Sequence, residues 1–200
     1  MKRFDFSCGR WDRAQLPMTY APMCRHYSDI RQEDDCIANG MNAHIGDYDY
    51  IGVAMNEPTR GDASITARCS FESYGAPLIV LADDVHTDPD GRRLYGAIYE
   101  VVAWEGGCNV WRILPVPDPE RPDRAYTVRN ITRESFPIAG GTVIDMAVRV
   151  RGKRIFVTVN DYAFDVAVPE LPDAYFVGVT LCEGVNRFYE LCVDSEENLR

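Results

Sequence analysis

Between residues 95 and 114 the sequence concentrates Tyr95, Tyr99, Glu100, Trp104, Asn109, Trp111 and Arg112. Aromatic rings offer platforms for the apolar faces of sugar rings, and amide or carboxylate groups bond the hydroxyls, so this set is a candidate sugar-binding surface. Strand periodicity divides it. Tyr95, Tyr99 and Ala103 fall on one face and Glu100 and Trp104 on the other, so one set lines a groove while the other packs in the core. Acids in mid-strand suggest a second chemistry. Glu72, Glu100 and Glu190 each sit within a strand-like run, and two carboxylates facing each other across a cleft can hydrolyse a glycosidic bond. The separation would be about 5–5.5 Å for retention or about 6.5–9.5 Å for inversion. Glu100 and Glu190 are the pair assigned to that role.

Other chemistries find less support. Asp83, Asp84, Asp88 and Asp90 crowd one loop around His86 and offer oxygens to Ca²⁺, but their spacing is not that of an EF-hand. A solvated acidic turn is the expectation there, and no metal site or cofactor is assigned. His26 and His44 have no spaced partner. The seven cysteines (8, 24, 36, 69, 108, 182 and 192) contain no Cys-x-x-Cys, which argues against a zinc ribbon or a thioredoxin-like site. Neither Gly106-Gly107 nor Gly140-Gly141 follows a phosphate-loop pattern, and no Gly-x-Ser-x-Gly occurs. A net charge of −10 speaks against a nucleic-acid backbone or an anionic membrane surface as partner, since both demand a basic face.

Positioning these residues requires strands. From residue 48 onward, apolar residues alternate with polar ones in short runs: Ile65, Ala67, Cys69 and Phe71 alternate with Thr66, Arg68, Ser70 and Glu72. Gly75-Ala76-Pro77 reads as a turn into 78–81, Asp90-Gly91 as a tight turn, and Glu105-Gly106-Gly107 as a hairpin turn between 94–104 and 108–114. Four prolines between 115 and 123 exclude regular structure there. Strands are expected over 125–136, 142–151, 154–159, 162–168, 174–182 and 187–193. About ten strands joined by tight links, with no helical run of ten residues, call for an all-β fold, a two-sheet antiparallel β-sandwich. The chain reads as one domain over 1–200. Residues 1–47 form an irregular N-terminal arm with one early strand and a short helix or charged loop at 28–37, residues 48–194 form the sandwich, and 195–200 a tail.

The final third carries a resemblance. Residues 142–151 (TVIDMAVRVR), then Gly152-Lys153-Arg154, then 155–161 (IFVTVND) resemble a recurring hairpin of concanavalin A-like lectin/glucanase domains. Residues 175–179 and 188–194 resemble the closing strands of such domains, and 65–71, 78–82 and 95–102 fit the earlier ones, so the likeness spans about 48–194. Gly152 permits positive φ at the first turn, and Asn160 tolerates it at the second. Asp161 stands where the pattern usually has Gly, which leaves the second turn's type open. The resemblance implies a jelly roll and a lectin-like, carbohydrate-binding role. Its glucanase branch often carries a Glu-x-Asp-x-x-Glu or Glu-x-Asp-x-Glu strand motif, which this sequence lacks.

Three functions therefore stand as expectations. The first is carbohydrate binding, and the second is glycoside hydrolysis through a Glu pair. The third is a cytoplasmic structural or interaction domain without a small ligand, motivated by the odd cysteine count and by Asp5 interrupting any signal-like start. A polar groove lined by Trp counts against the third.

Overall fold

The computed structural model describes residues 1–24, 27, 29–40, 50–121 and 123–195. His26, His44 and most of the expected 195–200 tail lie outside the described residues. In chain order the strands are β1 (Lys2–Asp5), β2 (Met18–Tyr20), β3 (Arg31–Gln32), β4 (Ile37–Ala38), β5 (Ile51–Ala54), β6 (Thr59–Arg60), β7 (Ala63–Ala82), β8 (Val85–Thr87), β9 (Arg93–Tyr95), β10 (Ile98–Trp104), β11 (Gly107–Leu114), β12 (Thr127–Ser135), β13 (Ile144–Arg151), β14 (Arg154–Val159), β15 (Tyr162–Ala167) and β16 (Ala174–Ser195). Among the described residues the only helical turn is a 3₁₀ segment at Ser7–Gly9, and no helix is long and apolar enough to cross a membrane.

Two long strands organise everything else. β7 and β16 pair antiparallel from Phe176↔Ala82 to Ser195↔Ala63 and run through both layers of the sandwich. One layer is the order β15-β14-β13, then the first part of β7, then the last part of β16 and β1. The other is β12-β11-β10, then the last part of β7, then the first part of β16, followed by β5, β2, β9 and β8. Ile144, Met146, Val148, Ile155 and Val157 from the first layer share one buried cluster with Ile79, Leu81, Val101, Ala103 and Val110 from the second. That interior is the alternating face read in the 142–161 hairpin, whose Gly152 and Asn160 indeed take positive φ of 54° and 50°.

Three readings of the sequence are corrected. Gly75-Ala76-Pro77 is not a turn between two strands, because β7 continues through it. The bend is absorbed by register shifts in β16 around Gly184, which lies at φ 73° opposite Gly75. Buried Asn39 and Asn186 fasten this bulge. Asn39 Nδ2 donates to the carbonyls of Cys182 (3.3 Å) and Gly184 (2.8 Å), and Asn39 Oδ1 accepts from the Asn186 amide at 2.8 Å. Asn186 Nδ2 donates to the carbonyls of Cys182 and Glu183. In place of the expected helix or charged loop at 28–37, Arg31–Gln32 pairs with Ile37–Ala38 as β3/β4, and Gln32 Nε2 donates to the carbonyls of Phe6, Glu33 and Cys36. The arm also carries more order than one strand: β1 and β4 add to β16, and β2 adds to β5.

Candidate functional site

The outer face of the second layer is a cleft of about 460 Å³ over β12, β11, β10 and the bend of β7 and β16. Strand register arranges its floor in rows. One row across the sheet is Asn130, Trp111, Glu100, Val80; the next is Arg133, Asn109, Val102, Leu78. Glu100, Trp104, Asn109 and Trp111 therefore face the cleft together. Tyr126, Val128, Arg124 and Arg133 line it from β12 and the segment before it, Glu105 from the hairpin turn, and Cys182 and Glu183 from the β16 bulge. Tyr50 and Met23 complete the wall. Tyr50 holds φ 44°, an uncommon conformation for a bulky residue.

Polar groups on this floor are buried without partners. Glu100 Oε1, Trp104 Nε1 and Asn109 Oδ1 each lie out of solvent with no hydrogen bond. Glu100 is only 2% exposed, and burial pushes its carboxyl up to about 8, so it is neutral at neutral pH. Cys182 nearby is held firmly as a thiol, first by burial and then by Glu100. The Trp104 ring packs over Gly106, where a Cβ would come within 2.3–2.8 Å of its six-membered ring, and the Arg133 guanidinium lies 4.9 Å from the Trp104 ring centroid. Gly106 thus leaves the space that Trp104 occupies.

The remaining candidates lie elsewhere. Tyr99 is in the sandwich interior, with the Arg112 guanidinium 4.5 Å from its ring centroid. Arg112 itself is 5% exposed and its Nε donates to Glu170 at 3.1 Å, a structural pairing on the opposite face from the cleft. Tyr95 does not share the face of Tyr99, because β9 ends at Tyr95 and Gly96-Ala97 interrupts the alternation before β10. It packs instead with Ile98, Val102 and Met23, and its hydroxyl donates to the Val53 carbonyl at 3.2 Å. With Ala21 and Met23 it fills the β16/β5 part of this outer face, which confines the open cleft to the β12–β7 part.

Glu190 is not brought to Glu100. It lies beside Arg68 in the other layer, where its carboxylate accepts from Arg3 at 2.7 Å and from the Cys192 thiol at 2.8 Å. The bond to Arg3 holds that carboxyl below the usual range. The acids that share the cleft with Glu100 are Glu105 and Glu183. Sequence reading missed them, and also missed Tyr126, Arg124 and Arg133. Alternation along β12 was a usable signal for Tyr126 and Val128, whereas a bulge after Val110 hides the phase of Arg133. Among the described residues no group of three or more His, Cys, Asp or Glu could hold a metal ion, and the Asp84–His86 contact at 3.2 Å is an exposed pair.

No protein-family model matches the chain, and no curated protein matches it. Solved structures do. The chain is similar to a glycoside hydrolase family 16 endo-glucanase from Bacteroides ovatus, at 8% identity and TM-score 0.65, covering 96% of this chain and 99% of that one. It is similar to the carbohydrate binding module CBM66 from Bacillus subtilis, at 10% identity and TM-score 0.59, covering 84% and 92%. It is also similar to the exoplasmic/lumenal domain of VIP36 in a Ca²⁺/Man3GlcNAc-bound form, at 10% identity and TM-score 0.55, covering 95% and 89%. At such identities the likeness speaks for the fold alone, and with the strand order above it gives the chain the concanavalin A-like jelly-roll β-sandwich.

Proposed function

We propose that the cleft binds carbohydrate. The observation that carries this reading is the set of three unpartnered buried polar atoms, on Glu100, Trp104 and Asn109, facing a cavity that Trp111 and Tyr126 also line. A buried polar group without a partner costs about 1–3 kcal/mol, so three on one floor mark a surface that gains from a ligand rich in hydroxyls. Trp111 is only partly buried and offers a ring for a sugar's apolar face. The similar structures include, by their own descriptions, a carbohydrate binding module and an endo-glucanase, which agrees with this reading. A cleft of this composition also counts against the purely structural role. Calorimetric titration against a panel of β-glucans, xylans and mannose-containing glycans tests the reading: saturable binding that Trp111→Ala removes supports it, and no binding to any glycan overturns it.

Hydrolysis is the second reading, favoured by one specific observation. A carboxyl pushed up to about 8 keeps its proton at neutral pH, as a general acid must, and Glu183 and Glu105 share its cleft. Release of reducing ends from a bound glycan, lost in Glu100→Gln while binding persists, supports catalysis; binding without any release leaves the chain a binder.

A further inference from the structure

The cleft carries charged side chains on its walls. Arg124 and Arg133 stand at the β12 wall, and Glu183 stands at the β16 bulge on the far side. The strand order β12-β11-β10-β7-β16 separates those walls by four interstrand steps, roughly 19 Å at about 4.8 Å each. In a chain with 31 acidic and 21 basic residues, a number of arginines are tied to carboxylates, among them Arg3 to Glu190, Arg92 to Asp90, Arg154 to Asp165 and Arg187 to Glu72. Among the described residues neither Arg124 nor Arg133 has a carboxylate within ion-pair distance; Arg133 lies over Trp104 instead. Arginines without a carboxylate partner that line a cleft beside an aromatic floor are ready receptors for anionic groups on a flat ligand.

We infer that the cleft takes an acidic saccharide, one whose sugars carry carboxylates or sulfates, with such groups held along the β12 wall at Arg124 and at Arg133 and a ring against Trp111. This rests on the carbohydrate reading above and narrows its substrate class. The floor is compatible with it, since Glu100 without a counter-cation presents a neutral carboxylic acid there and adds no repulsion. Glu105 at the hairpin turn and Glu183 at the bulge remain for hydroxyls of the uncharged part of the ligand.

Matched oligosaccharides test it. The protein is titrated with uronate-containing oligosaccharides and their methyl esters, and with sulfated oligosaccharides and their desulfated forms, beside a neutral β-glucan series. Binding to a uronate or sulfated arm that weakens roughly tenfold or more in the uncharged counterpart supports the inference and identifies which anion is read. Equal affinity for charged and uncharged forms, or binding to the neutral series alone, overturns the acidic preference while leaving carbohydrate binding intact. Absence of binding in every arm overturns both. Arg124→Gln and Arg133→Gln, each shown by thermal denaturation to be folded, should weaken the charged ligand about tenfold and leave its uncharged counterpart unchanged. An unchanged affinity in both variants overturns the inference, as does a charged-ligand affinity that added salt does not weaken.

Discussion

Replacing Glu100 with Gln should remove a pH dependence of stability that the wild-type protein carries. Glu100 is 2% exposed, its Oε1 has no partner, and burial raises its carboxyl from 4.5 to about 8. Between those values the folded protein keeps a proton that the unfolded chain releases. Stability therefore falls as pH rises through this window, by about 1.4 kcal/mol per unit for one proton, and levels off above about pH 8. From pH 5.5 to 7.5 that is about 2.7 kcal/mol. At about 2–4 °C per kcal/mol for a chain of this size, the wild-type Tm should drop roughly 5–11 °C more than that of Glu100→Gln over the same interval. Thermal denaturation of both proteins at the two pH values and constant ionic strength measures this double difference, in which every other titrating group cancels. Equal pH slopes would refute the reasoning. So would a wild type that gains on the variant as pH rises, because that sign belongs to a carboxylate with a hidden cation.

Trp111→Ala should weaken glycan binding at least tenfold in calorimetry while the fold persists, since Trp111 is only partly buried at the edge of its cluster. Asn39→Ala removes two donated bonds to the β16 bulge and the acceptor for the Asn186 amide; denaturation should show a loss of about 2 kcal/mol, or about 4–8 °C in Tm. The same variant should weaken glycan binding, because that bulge presents Glu183 to the cleft. Glu190→Gln should leave both binding and any reducing-end release unchanged, and cost less than about 1 kcal/mol through its pair with Arg3. Loss of either activity in Glu190→Gln would return that acid to the site.

What could be read from the sequence was what local physics decides. Alternation fixed the faces within β10, so Glu100 and Trp104 were separated correctly from Tyr99, and Gly152 and Asn160 marked the turns of the 142–161 hairpin. The unread part depends on pairings between distant segments. Gly75-Ala76-Pro77 has the composition of a turn, and only the β16 bulge opposite it turns that stretch into the bend of a continuous strand. Tyr95 was placed with Tyr99 by counting, but Gly96-Ala97 breaks the count. Glu190 reads as the acid opposing Glu100 because nothing local announces Arg3, which reaches it through the β1/β16 pairing. Arg124, Arg133 and Glu183 meet one cavity only through strand order and a bulge, neither of which a periodicity reports.

The unpartnered atoms of the floor are not a demand of the fold. On the same face of the same strands, Ile98, Val102 and Ile113 are apolar and packed, so β10 and β11 tolerate aliphatic residues there. Glu100 sits between Ile98 and Val102 on that face, and a β-branched aliphatic suits a buried strand position better than an acid does. Glu100→Val should therefore stabilise the protein at pH 7.5 by about 1–3 kcal/mol, the cost of one buried unsatisfied group, while glycan binding or turnover falls. A variant both more stable and less active identifies Glu100 as held for its ligand. If Glu100→Val is destabilised, the acid has a structural partner and the cleft loses its strongest argument; if it is stabilised with binding intact, the ligand does not use the floor at Glu100.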